Sequence, residues 1–109
     1  LEAMRGVLDA GDAPTAVFAG SDFIALGVMQ AIKQRGLSVP GDISLVGFDD
    51  MPFADLLAPG LTTVRQPTAE LGRAGLRALL ALFEKKAPEA LTRLPVTLVE
   101  RQSVAAPRQ

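Results

Sequence analysis

The stretch Asp42-Ile-Ser-Leu-Val-Gly-Phe-Asp-Asp50 constrains the fold more than any other part of the chain. Ile43 to Phe48 is a short apolar and β-branched run, broken only by Ser44 and Gly47. Pro40-Gly41 precedes it and Asp49-Asp50 follows it. A short apolar run between turn signals reads as a strand buried on both faces, as in a parallel sheet covered by helices. Packing does not call for two adjacent carboxylates where such a strand ends. In open α/β sheets, ligands bind at the carboxyl ends of the strands. Asp49 is therefore expected at the mouth of a small-molecule pocket.

The remaining segments extend the same pattern. Leu1 to Ala10 reads as the tail of a helix already under way, with Gly11 as its C-terminal cap, so residues upstream are expected. Pro14 opens a strand over 15–19, and Ser21 is a good N-cap for a helix running to about Arg35 and closed by Gly36. Met51 to Leu57 reads as a short helix, Leu61 to Val64 as a third strand, and Thr68 to Lys86 as a long helix after Pro67. Leu94 to Val99 alternates around Thr97, and Pro95 marks it as an edge or irregular strand. Strands alternating with helices predict a three-layer α/β fold with a parallel sheet and right-handed crossovers.

Composition narrows the chemistry. With no cysteine there is no disulfide or thiolate metal site, and with no histidine the commonest general base and metal ligand are missing. Neither a metal nor a cofactor is expected. The formal net charge of −1 argues against this segment itself gripping a nucleic-acid backbone, which wants clustered Lys and Arg. No apolar run approaches the ~20 residues that span a bilayer, and no membrane partner is expected.

Three strand ends carry polar groups: Ser21-Asp22, Asp49-Asp50 and Arg65-Gln66. In a parallel sheet all three lie at one edge, where hydroxyl, carboxylate, guanidinium and amide groups suit a hydroxyl-rich or heterocyclic ligand. Each also has a plain structural reading. Ser21 can be an N-cap and nothing more, Asp22 a first-turn acid favoured by the helix dipole, and Asp49 a turn acid. Asp50 faces away from Asp49 and reads as a cap for the Met51 helix. Arg65 and Gln66 point to opposite faces, so one of them is expected to enter a pocket.

On the helix 22–35, Ile24, Ala25, Val28, Met29 and Ile32 form one apolar stripe at about 100° per residue. Phe23 and Leu26 lie off it and point to a partner surface or a pocket wall. On the long helix, Leu71, Ala74, Ala78, Leu79, Leu82 and Phe83 read as core. Gly72 and Gly75 there would allow close packing against a neighbour.

Taken together, Pro14 to Asp22, Ala25-Leu-Gly27, Gly36 to Asp50, Leu61-Thr-Thr-Val-Arg-Gln-Pro67, Leu71-Gly72 and Leu94 to Arg101 make a family pattern. In order and spacing the chain resembles the C-terminal part of the effector-binding region of LacI/GalR (lactose-repressor and galactose-repressor) transcriptional regulators. The resemblance implies a periplasmic-binding-protein-like fold of two α/β lobes with an effector, a sugar or nucleoside-like molecule, between them. The present chain would form part of one lobe, with the 67–86 helix packing on the other. A helix-turn-helix that binds operator DNA would lie outside this chain. Effector contacts are implied for Ser21, Asp22, Asp49 and Gln66, with Ser21 standing where relatives commonly carry Asn. A homodimer surface is implied for Leu26, Phe53 and Leu57, and a cytoplasmic location follows from a role on DNA.

Other function classes fit less well. A periplasmic sugar-binding protein shares the fold and much of the strand-end chemistry, but Leu61 to Pro67 and Leu98 to Arg101 look more like the regulators. A phospho-acceptor receiver needs a lysine at a strand end, and Lys33, Lys85 and Lys86 all fall on helices. For an enzyme there is no nucleophile–base pair, phosphate-cradling loop or metal-ligand cluster.

Overall fold

The computed structural model describes all 109 residues. In chain order the elements are α1 (Glu2–Asp9), β1 (Ala16–Phe18), α2 (Asp22–Gln34), β2 (Ser44–Val46), β3 (Thr63–Arg65), α3 (Thr68–Phe83) and β4 (Thr97–Val99). Two compact units are present, one of residues 1–65 and 98–109, the other of residues 66–97.

The first unit holds the sheet and its core. β1 pairs with β2 in parallel, with Ala16, Val17 and Phe18 opposite Ser44, Leu45 and Val46. Parallel bridges at Val46–Thr62 and Asp49–Arg65 join β2 to β3, and β4 pairs with β3. β1, β2 and β3 are the expected parallel strands, β1 and β2 trimmed at their ends and β3 shifted towards Arg65. The chain after β4 instead runs antiparallel to the segment entering β3, with Gln102 N–H on Gly60 O and Arg101 N–H on Thr62 Oγ1.

Helix α2 starts where the sequence indicates. The Ser21 hydroxyl accepts the Ile24 N–H at 3.2 Å, and Gly36 (φ 71°) takes the left-handed turn after the helix. Its buried face is Ala25, Val28, Ala31 and Ile32, closed by Met4 and Leu8 of α1 and by Ile43 and Leu45 on and beside β2. Gly27 lets the helices meet, since a Cβ there would come within 3.0 Å of the Leu1 backbone nitrogen.

Ile24 is not part of this face and remains 56% exposed.

Two further expectations change. Met51 to Leu57 forms turns rather than a helix, closed by Ala54 N–H to Met51 O at 2.8 Å and Leu56 N–H to Phe53 O at 3.0 Å. Tertiary partners capture backbone groups at the start and in the middle of the segment. Asp22 takes the Met51 N–H, and the buried Ala54 offers its carbonyl to Leu61 N–H at 2.8 Å.

The second change concerns α3, which buries none of its residues. Leu71, Ala78, Leu79, Leu82 and Phe83, expected in the core, are exposed, while Ala74 is half-buried. The unit 66–97 contains one long helix and no second layer, so the apolar stripe has no internal surface to meet. No helix is long and apolar enough to cross a membrane.

Candidate functional site

Parallel pairing brings the carboxyl ends of β1, β2 and β3 to one edge, and the loops leaving them are stitched together by backbone bonds. Asp22 N–H donates to Phe48 O at 2.8 Å, and Asp49 N–H donates to Val64 O at 2.9 Å. Ser21, Asp49 and Arg65 therefore share the edge predicted for them.

The two neighbouring acids at the end of β2 have an unusual backbone. Asp49 has φ 111° and Asp50 has φ 53°, both in the region that favours glycine. For a residue with a side chain such conformations cost on the order of 1–3 kcal/mol each and cluster at functional sites. Asp tolerates them better than most residues. What holds them is a set of consecutive amides with assigned acceptors. Asp49 N–H is taken by Val64 O, Asp50 N–H reaches Thr63 Oγ1 at 3.3 Å, and Met51 N–H reaches Asp22 Oδ2 at 2.7 Å. The Asp49 residue itself is half-buried at the edge.

Asp22 sits behind that edge. It is fully buried, with Oδ1 accepting the Thr63 hydroxyl at 2.6 Å and Oδ2 accepting Met51 N–H. Gly47 makes room for it, because a Cβ at Gly47 would overlap Asp22 Oδ1. Its carboxylate thus ties α2, β3 and the Asp49-Asp50 turn together. Ser21 is half-buried and serves as N-cap through its hydroxyl. Gln66 is half-buried and opens the second unit.

Asp50 caps no helix. Its side chain, 8% exposed, accepts Arg65 Nε at 2.6 Å on one oxygen and an Arg101 terminal nitrogen at 2.7 Å on the other. Burial alone would push this carboxyl up, but the hydrogen bonds from Arg101 and Arg65 outweigh it and hold the group below the ordinary aspartate value. Nothing local in the sequence connects Arg101 to Asp50, which lies 51 positions away.

Phe23 and Phe53 meet edge to face with centroids 5.1 Å apart, and Leu26 is half-buried nearby in sequence on α2. Leu57 packs partly against the core, while Phe23 (62%) and Leu56 (80%) are the exposed apolar groups of this region. A hollow of about 310 Å3 in the first unit is lined by Val46, Thr62, Leu98, Glu100, Arg101 and Val104, and neither Asp49 nor Ser21 lines it.

The periplasmic binding protein-like domain model matches residues 1–104. The HTH-type transcriptional repressor PurR of Erwinia tasmaniensis is 42% identical over 104 residues, covering 94% of this chain and 30% of its own length. Catabolite control protein A of Priestia megaterium is 36% identical, and the ribose operon repressor of Haemophilus influenzae is 47% identical over 77 residues. These alignments cover 94% of this chain and 31% of the control protein, and 71% of this chain and 23% of the ribose repressor. The Lac repressor dimer bound to operator and the anti-inducer ONPF superposes with a TM-score of 0.87 at 38% identity, covering 96% of this chain and 37% of that one. A LacI family regulator from Arthrobacter in complex with lactose gives 0.79 at 31% identity, over 95% of this chain and 40% of that one. The chain spans 23% to 31% of the length of these curated relatives, two of which are named as repressors and one as a control protein. From its matched domain, its relatives and its fold, the chain belongs to the periplasmic-binding-protein-like domain family, as part of the effector-binding region of a LacI/GalR regulator.

Proposed function

We propose that this chain is the ligand-sensing and dimerisation portion of a cytoplasmic, DNA-binding transcriptional regulator. A small molecule, a sugar or nucleoside-like compound, binds at the carboxyl ends of the strands and modulates operator binding by a domain outside this chain. The observation that carries the reading is the turn at Asp49. A half-buried carboxylate is held on a costly backbone conformation at the end of a central strand, and packing alone gives no reason for that expense. Asp49 accepts ligand hydroxyl or ring N–H donors, Ser21 contributes from the neighbouring strand end, and Asp22 acts from behind by fixing the turn.

The test is titration calorimetry on the full-length protein with ribose and lactose as probes. One relative is a ribose operon repressor and one similar structure holds lactose. Asp49→Asn is expected to cost ~1.5–3 kcal/mol, the range for hydrogen bonds to a charged group, or about ten- to hundredfold in affinity. Unchanged affinity with a shifted melting point would make Asp49 a structural residue.

The same reading makes the protein a homodimer through Leu26, Phe53 and the exposed Phe23 and Leu56, with Leu57 behind them. A two-fold interface places this patch against itself, so one substitution acts twice. Leu26→Glu brings like charges together in a desolvated contact and is expected to give a monomer by sedimentation, with circular dichroism unchanged. A dimer that persists refutes the placement.

A further inference from the structure

We propose that Arg101 is a positioning residue for the ligand edge, holding Asp50 and through it the backbone that presents Asp49. This deepens the proposed function and rests on Asp49 being the ligand-facing carboxylate.

Arg101 is built to act as a fixed point. Its side chain is only 16% exposed, against 58% for Arg65, the other partner of Asp50. One terminal nitrogen donates to Asp50 Oδ1 at 2.7 Å and the other to Leu61 O at 2.8 Å. Its own amide donates to Thr62 Oγ1 at 2.9 Å, so backbone and guanidinium are both anchored on the segment entering β3. The residues after it are pinned as well. Gln102 N–H reaches Gly60 O at 3.1 Å, and the buried Ser103 hydroxyl accepts Thr62 N–H at 2.8 Å and donates to Leu45 O at 2.5 Å. The guanidinium is therefore delivered to Asp50 by a segment that cannot easily drift.

The consequence falls on Asp49. Asp50 is in the left-handed region and Asp49 beside it has φ 111°, so the pair gains by relaxing unless something restrains it. The amide bonds of Asp49, Asp50 and Met51 restrain the main chain from one side. The Asp50 carboxylate, with an arginine on each oxygen, restrains it from the other. Of the two arginines, Arg65 is solvent-screened and Arg101 is not, so Arg101 carries most of this restraint. Its fork also spans Asp50 and Leu61 O at once, which a lysine cannot do.

The test uses the full-length protein with 15N-labelled aspartate and serine, and follows amide hydrogen exchange. Arg101→Met is expected to speed exchange at Asp49 and Asp50 at least tenfold. The Ser44 amide, bonded to Thr15 O at 2.9 Å on the far side of β2, should stay within about twofold. Arg101→Lys should fall between, and Arg65→Met should stay near the parent. Asp50→Asn, which removes the charge with little change of bulk, must reproduce the pattern and serves if Arg101→Met does not fold. Unchanged exchange at Asp49, or a rise shared equally by Ser44, would overturn the assignment, the latter by showing general loosening.

Ribose and lactose titrations separate this claim from the one beneath it. If Asp49→Asn leaves sugar affinity untouched, the ligand reading fails and exchange alone decides whether Arg101 holds the turn. If Asp49→Asn weakens binding while Arg101→Met leaves both exchange and affinity unchanged, only the positioning role fails.

Discussion

Thr63 offers the sharpest probe of the frame behind the ligand edge. Its side chain and that of Asp22 are both fully buried, and the hydroxyl does two things at once. It donates to Asp22 Oδ1 at 2.6 Å and accepts Asp50 N–H at 3.3 Å. Thr63→Val keeps the shape and deletes both bonds. The first is short and charge-assisted, a class worth ~1.5–3 kcal/mol when one partner is removed. The second is long and adds a few tenths at most by the same scale. A total loss of about 2–3 kcal/mol is expected. Thr63→Ser keeps the hydroxyl and loses a buried methyl, costing about 1 kcal/mol. Urea unfolding of the two variants in the full-length protein, under identical conditions, measures the difference. A double-mutant cycle with Asp22→Asn should return a coupling of on the order of 1–3 kcal/mol. If Thr63→Val costs no more than Thr63→Ser, the buried hydrogen bond is not what secures Asp22, and the frame argument fails.

Gly47→Ala would overlap Asp22 Oδ1 and lie 3.0 Å from Leu61 Cδ2, so a buried, hydrogen-bonded carboxylate must move. Overpacking of that kind costs ~1–3 kcal/mol, and an unaltered urea midpoint would show that the site has slack. Acid should act through Asp50, whose folded value lies below the ordinary one. Its contribution is fully present above the unfolded value of about 3.9 and is lost as pH falls from there through the folded value. The stability gap between the parent and Asp50→Asn should therefore be wide at pH 7 and close below about pH 4; a gap independent of pH would refute the ion-pair reading.

Local chemistry was enough to place most elements. Turn residues bracket β1 and β2, Ser21 announces α2, and Gly36 ends it, because caps and turns are satisfied by residues within a few positions. Alternation of strand and helix implied parallel pairing, and parallel pairing alone puts Ser21, Asp49 and Arg65 at one edge. Which acid does what was not legible in the same way. Asp22 and Asp49 are the same residue type at equivalent strand ends, yet Thr63 and Met51 enclose one and leave the other half-buried at the rim. Asp50 looked like a helix cap until Arg101, 51 positions away, was brought to its carboxylate. The apolar stripes of α2 and α3 were both plain from periodicity, but periodicity says which side chains share a face and not whether anything lies opposite. Ile24 stays 56% exposed beside the buried Ala25, and α3, with no second layer within its own unit, buries none of its residues. Burial and ion pairing depend on groups that are distant in sequence, and only the folded chain supplies those neighbours.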